Sequence, residues 1–166
     1  MAKIKEYEAF FEELATKYKP IGHTPQKRQF ASMSQAEILA GQRSKLELTK
    51  WTMVLLKCEP KMVQNGSRQT RMMYVGAFEI VKKLERNDLD KVQVQDDAFA
   101  MCIGILAKLL KMNLKKEIPL GVIDENSIDF YPVDQVFDTA VGYGMEFKFE
   151  EGFCRNENYI NDDWNE

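Results

Sequence analysis

The stretch from Ser127 to Phe149 constrains the fold more than any other part of the sequence. In its second half, apolar residues alternate with glycine or charged residues from Val141 to Phe149. A period of two is typical of a β-strand with one buried apolar face and one face of small or charged residues. Gly142 and Gly144 would weaken such a strand unless another backbone comes close. We therefore expect a long strand inside a sheet, with helices covering its apolar side.

Two segments have the spacing of amphipathic helices, with apolar residues three and four positions apart. Lys3–Tyr18 carries an aromatic stripe that we expect to dock on the sheet, although a partner surface is an alternative. Asp97–Asn113 has a broader stripe that includes Phe99 and Ile103, which indicates burial on more than one side. The candidate helix caps are Asn87, Asp88, Asp96 and Asp97. Ser34-Gln-Ala-Glu37 has the capping-box pattern and predicts a short helix to about Gly41.

The strands are predicted from runs of apolar and β-branched residues. Lys27–Met33 predicts a short strand, and two longer runs, Leu46–Cys58 and Met72–Val81, flank the polar segment Glu59–Thr70. Asn65-Gly66 inside that segment is a turn signal. The sequence thus predicts an α+β fold: a mainly antiparallel sheet with a long hairpin, packed against an N-terminal helix and a central helix.

Length and composition fit one domain. The chain has 166 residues, 45% of them hydrophobic and 30% charged, which predicts a single α+β domain over residues 1–150. Residues 151–166 form an acidic tail that also contains aromatic residues, which disordered tails usually lack. We expect it to fold back or to reach a neighbouring subunit. The N-terminus has no apolar signal core, and no run approaches the ~18 apolar residues that span a bilayer, so no membrane association is expected.

The sequence offers little that would support catalysis. His23 is the only histidine, so a base or metal ligand there lacks a histidine partner. Cys58, Cys102 and Cys154 lack metal-ligand spacing, and we expect reduced thiols. Gly142-Tyr-Gly144 lies within a strand pattern and is not a phosphate loop. The prediction is no enzyme, no cofactor and no metal site. The net charge of −3 argues against nucleic-acid binding as the main role. It does not exclude a local basic patch on the surface.

Two charged regions are candidate contact surfaces. The hairpin tip is basic and is a candidate contact surface, because binding groups often lie on loops. The alternative interpretation is a solvated loop without a binding role. The tail is acidic and aromatic. The candidate interface residues are Lys57, Lys61, Arg68 and Arg71 at the tip, and Phe153, Tyr159 and Trp164 in the tail.

The order of these elements resembles the small neck and tail-completion proteins of tailed bacteriophages, the tail terminator and head–tail joining group in particular. The segments that carry the similarity are Trp51–Leu56, Gly76–Ile80, Phe99–Leu110 and Asp124–Phe149. The resemblance implies a structural virion protein made in the bacterial host cytoplasm. It also implies a ring, commonly of six copies, that ends the tail tube and joins it to the neck.

The partners implied by this resemblance are copies of the chain itself, tail tube proteins and neck proteins. DNA would pass through the lumen only transiently, and neither catalysis nor a cofactor is implied. A head-to-tail ring needs two different surfaces on each subunit, and the basic tip and acidic tail are complementary in charge. The alternative is a cytosolic small-ligand-binding or regulatory α+β module with a pocket between the sheet and the Phe99–Leu110 helix.

Overall fold

The computed structural model describes residues 2–34, 37–38, 46–64, 70–84, 91–137 and 139–152. The elements, in chain order, are α1 (Ala2–Lys17), β1 (Phe30–Met33), β2 (Thr52–Gln64), β3 (Thr70–Lys83), α2 (Lys91–Leu114), β4 (Val122–Val136) and β5 (Ala140–Gly152). The strands form one sheet in the order β1-β2-β3-β5-β4. Only β1 pairs in parallel, so the predicted α+β class with a mainly antiparallel sheet is confirmed.

Both helices pack on the same face of the sheet, as the alternation in β5 predicts. Phe11 of α1 stacks on Phe147 of β5 with ring centroids 5.4 Å apart. Cys102 and Leu109 of α2 join the same buried cluster. The other face of the sheet holds a smaller apolar cluster built around Leu48, Val54, Val81, Val133, Phe137 and Ala140.

The glycines of β5 lie where another group comes close. A Cβ atom on Gly142 would lie 1.8 Å from the carbonyl oxygen of Ile80 in β3. A Cβ atom on Gly144 would lie 2.4 Å from the ring of Tyr131 in β4. The expected close backbone approach is therefore found at Gly142, and at Gly144 an aromatic ring occupies the space instead.

The hairpin is confirmed, but its predicted loop is too long. Pairing between β2 and β3 continues from Glu59–Val75 to Gln64–Thr70, beyond a register shift between Leu56 and Glu59. Antiparallel backbone pairing thus outweighs the polar character of these residues and the proline at position 60. Residues 65–69, which contain the turn dipeptide, lie outside the described residues. The strand predicted from Leu46 begins only at Thr52, and β3 stays in the sheet to Lys83.

Helix α2 begins at Lys91. Of its candidate caps, Asn87 and Asp88 lie outside the described residues, and Asp96 and Asp97 lie inside the helix, so the prediction is wrong for the last two. Asp97 instead accepts a hydrogen bond from Gln93, one turn earlier, at 3.0 Å. The buried face extends toward the N-terminus through Val94 and Ala98. This early apolar contact with the sheet explains why the helix begins before the two carboxylates.

The capping box at Ser34 is confirmed. The Ser34 amide donates to Glu37 Oε2 at 2.7 Å, and the Glu37 amide donates to Ser34 Oγ at 3.3 Å. The hydrogen bond from the Ser34 backbone lowers the pKa of Glu37. The remainder of that predicted helix, residues 39–41, lies outside the described residues.

Candidate functional site

The predicted basic tip is not a cluster of free cations. Lys57 and Lys61 lie on β2, and Arg71 lies on β3. Arg71 Nη1 donates to Glu150 Oε2 of β5 at 2.8 Å. Lys57 lies 3.6 Å from a Glu37 oxygen, and the Lys61 ammonium lies 4.0 Å from Glu59.

These intrachain pairs neutralise part of the charge that the sequence assigned to a partner surface. Only the pair between Arg71 and Glu150 has the short geometry of a strong ion pair, and it bridges neighbouring strands. The other predicted interface residues, Arg68, Phe153, Tyr159 and Trp164, lie outside the described residues. The pairing of the tip with the acidic tail therefore stays a prediction.

A buried carboxyl group lies on the sheet face opposite α1 and α2. Glu79 of β3 is 9% exposed. Its Oε1 accepts a hydrogen bond from the Tyr131 hydroxyl at 3.4 Å. Its Oε2 is buried and has no hydrogen-bond partner among the described residues. Burial raises the pKa of Glu79, and donation from Tyr131 only partly opposes this.

Tyr131 is affected by the same environment. Its ring lies across Gly144, and burial raises the pKa of its hydroxyl, followed by the nearby charge of Glu79. The phenol therefore stays a hydrogen-bond donor at neutral pH. Glu79 and Tyr131 thus form a polar pair inside a largely apolar face, and one buried carboxyl oxygen of the pair has no hydrogen-bond partner among the described residues.

The pair lines a half-open pocket of about 660 Å³, together with Leu56, Val75 and Glu146. The alternative function placed a pocket between the sheet and α2, but this pocket lies on the opposite face. Between the sheet and α2, Cys102 and Leu109 are fully buried and packed. The sequence signal for the observed site is one carboxylate inside the apolar run Met72–Val81, which was not among the predicted site residues.

Glu79 predicts a specific pH dependence of stability. Its raised pKa means that the folded protein binds this proton more tightly than the unfolded chain does. Stability from this group is therefore present below the unfolded pKa of a glutamate, about 4.3, and is lost as the pH rises through the folded pKa. In Glu79→Gln the side chain cannot ionise. We expect its unfolding free energy, relative to wild type, to increase as the pH rises from about 4 to about 7, in urea titrations.

The control for this prediction is Glu59→Gln, which removes a carboxylate that is 75% exposed. That variant should show no comparable rise in relative stability. The glutamine amide could lower the unfolding free energy by an amount that does not vary with pH. The test is therefore how the difference in unfolding free energy changes with pH, and not its absolute size. A constant difference between Glu79→Gln and wild type across the pH range would contradict the assignment.

His23 has a structural role in this fold. It is buried, and its Nδ1 accepts a hydrogen bond from the backbone N–H of Gln29 at 3.2 Å. Its Nε2 lies 3.5 Å from a Glu12 oxygen. These contacts hold the loop between α1 and β1 against the helix. His23 therefore links two segments of the chain.

The described thiols are buried and protonated. Burial raises the pKa of Cys58 to about 11 and that of Cys102 to about 12. The Cys102 thiol lies 3.6 Å from the Tyr143 carbonyl, to which it donates. Both are free cysteines, as predicted, and Cys154 lies outside the described residues.

The described residues show neither a metal-binding cluster nor a membrane-spanning helix. They contain no group of three histidine, cysteine, aspartate or glutamate side chains placed to hold a metal ion. Neither α1 nor α2 is long and apolar enough to cross a bilayer.

An apolar patch lies where α2 meets the edge strand β4. Phe99 is 38% exposed and contacts the rings of Phe130 and Tyr143 at 5.3 and 5.0 Å. Ile103, one turn further along α2, is 42% exposed. We call Phe99, Ile103 and Phe130 the edge patch. The sequence placed Phe99 and Ile103 on the buried stripe, which is wrong because Val94, Ala98, Cys102, Ile105 and Leu109 form the buried face.

Comparison with known proteins gives this chain no family. No protein-family description matches its sequence, and no curated protein matches it.

Proposed function

We propose that the chain is a structural subunit that assembles with copies of itself into a ring, as a tail terminator or tail-completion component at the head–tail junction of a tailed phage. The observation that carries this proposal is the edge patch beside β4. This strand is 15 residues long and, among the described residues, pairs on one side only, with β5. Exposed apolar side chains next to a free strand edge favour contact with another chain.

The arrangement of the sheet also supports a head-to-tail assembly. Its two edges differ, since β1 has four residues and β4 has fifteen. The helices α1 and α2 cover one face, whereas the other face carries Glu79 and Glu146 beside a smaller apolar cluster. A heterologous ring joins two different surfaces of each subunit, and this subunit has unlike edges and unlike faces.

The phage context comes from the sequence resemblance. Self-association, by contrast, is supported by features of the described residues. In the proposed ring, DNA would pass through the lumen, and tail tube and neck proteins would bind at its two ends.

A second function is favoured by the Glu79 pocket. A small-ligand-binding or regulatory module would need a concave site with few, well-placed polar groups. The Glu79 oxygen that has no hydrogen-bond partner among the described residues lies beside a pocket lined by Leu56 and Val75, which meets that description. This function would need no ring, so the state of association separates the two.

The test is the mass of the full chain by light scattering, together with negative-stain imaging. We expect the wild-type chain to form closed rings at micromolar concentration. Ile103→Glu places a charge in the edge patch and should shift the population toward monomers, by at least tenfold in the concentration needed for assembly, because a buried unpaired charge costs several kcal/mol.

The matched control is Leu114→Glu, on the same helix. Leu114 is 82% exposed and lies eleven residues from Ile103, about 16 Å along the axis. Its replacement should leave assembly unchanged. A monomeric wild-type chain would contradict the proposed function, and equal effects of the two variants would remove the edge patch as the contact.

A further inference from the structure

Four lysines line one pocket at the end of the molecule where the α1–β1 loop meets β2 and β3. Lys19 and Lys27 come from the loop, Lys50 precedes β2, and Lys82 lies near the end of β3. The pocket has a volume of about 450 Å³, and none of its lining residues is acidic. This concentration of positive charge is unexpected in a chain whose net charge is −3.

Most of this charge has no counter-ion within the described chain. Lys50 lies 4.0 Å from Glu47, at the limit of an ion pair. Lys19, Lys27 and Lys82 make no ion pair with any described residue. Like charges held together raise the local potential and attract anions. An unneutralised group of lysines lining a concavity therefore indicates an anion site.

The walls of the pocket are held by specific contacts. The buried Gln29 side chain donates to the Trp51 carbonyl at 3.0 Å. The Lys82 ammonium lies 5.8 Å from the centre of the Trp51 ring, in cation–π geometry. Thr24 and Lys27 exchange two backbone hydrogen bonds of 3.1 and 3.0 Å, which fix the turn that carries Lys27.

We propose that this pocket binds a phosphate group. Lysine is a common phosphate ligand and acts there as a point charge. Four lysines carry more positive charge than is needed to balance a single carboxylate, so a phosphate group is the better match. The volume falls within the usual range of small-molecule sites. Lys82 covers the Trp51 ring, so base stacking is not part of the proposal. The phosphate could belong to a nucleic-acid backbone or to a small phosphorylated compound.

This inference is independent of the proposed ring. The lysine pocket lies at the α1–β1 loop, whereas the edge patch lies on α2 and β4. Whether the chain forms rings does not decide whether the lysine pocket binds phosphate, and phosphate binding does not decide ring formation. The two experiments therefore test the two proposals separately.

The test uses the full chain at low ionic strength with three probes: inorganic phosphate, pyrophosphate and a short DNA duplex. Binding is followed by thermal stability and by chemical shifts of the backbone amides. We expect pyrophosphate to raise Tm and to shift the amides of Gly22 and Trp51. The double variant Lys19→Gln/Lys27→Gln should bind about tenfold more weakly, because two exposed lysines are removed without changing buried contacts.

The matched control is Lys108→Gln/Lys111→Gln, which removes two exposed lysines from α2 and so changes the net charge equally. It should bind as the wild type does. Duplex binding that pyrophosphate displaces, and that the pocket variant loses, assigns the site to a nucleic-acid backbone. Pyrophosphate binding without duplex binding assigns it to small phosphorylated compounds. Equal losses in both double variants, or no binding of any probe, would overturn the proposal.

Discussion

Replacing Phe11 by alanine is expected to lower the free energy of unfolding by about 3–5 kcal/mol. Phe11 is fully buried, and its ring contacts Tyr7 and Phe10 in α1, Phe78 in β3 and Phe147 in β5. The truncation therefore opens a cavity at the point where α1 docks on the sheet. Chemical denaturation of the purified variant, with circular dichroism as the probe, measures the effect.

Phe99→Ala is the matched control, because it removes the same ring from a different position. Phe99 also contacts two aromatic rings, but it is 38% exposed where α2 meets β4. Its loss should cost about 1 kcal/mol, since solvent already reaches the ring and little cavity remains. Similar losses in the two variants would mean that the aromatic cluster under α1 is not the centre of the core.

The parts of the fold that follow from local patterns could be predicted. Period-two alternation identified β5, and three-and-four spacing identified α1, because one buried face imposes each pattern. The hairpin followed from two apolar runs around a turn signal. Its true length did not, because Glu59–Gln64 is polar in sequence and stays in β2 through pairing with β3. That pairing cannot be predicted from the sequence of β2 alone, because it depends on the position of β3.

The candidate sites were harder to predict because their residues are distant in sequence. Arg71 pairs with Glu150 across 79 positions, so the sequence alone assigned Arg71 to a partner surface. The lysine pocket joins positions 19, 27, 50 and 82, which share no motif. Glu79 could have been singled out as a carboxylate in an apolar run, but its partner Tyr131 belongs to another strand. Sheet order brings each of these groups together.

Gly142→Ala is expected to destabilise the protein by about 3 kcal/mol or more. Gly142 lies in β5 between β3 and β4, paired with Val81 and Val133. The new Cβ would lie 1.8 Å from the Ile80 carbonyl oxygen and 2.8 Å from its carbon. Gly142 does not have a positive φ, so the cost is steric and not conformational. Since the obstacle is backbone, the two central strands must separate, and the midpoint of urea denaturation should fall accordingly.

Gly104→Ala separates this effect from a general cost of replacing glycine. A Cβ on Gly104 would lie 2.7 Å from the Tyr18 hydroxyl, which is the far end of a side chain and can move. Gly104 also lies inside α2, where alanine gains about 1 kcal/mol of helix propensity. We expect its stability to stay within about 1 kcal/mol of wild type. If Gly142→Ala were equally mild, the close approach of the Ile80 carbonyl in β3 to Gly142 in β5 would be wrong.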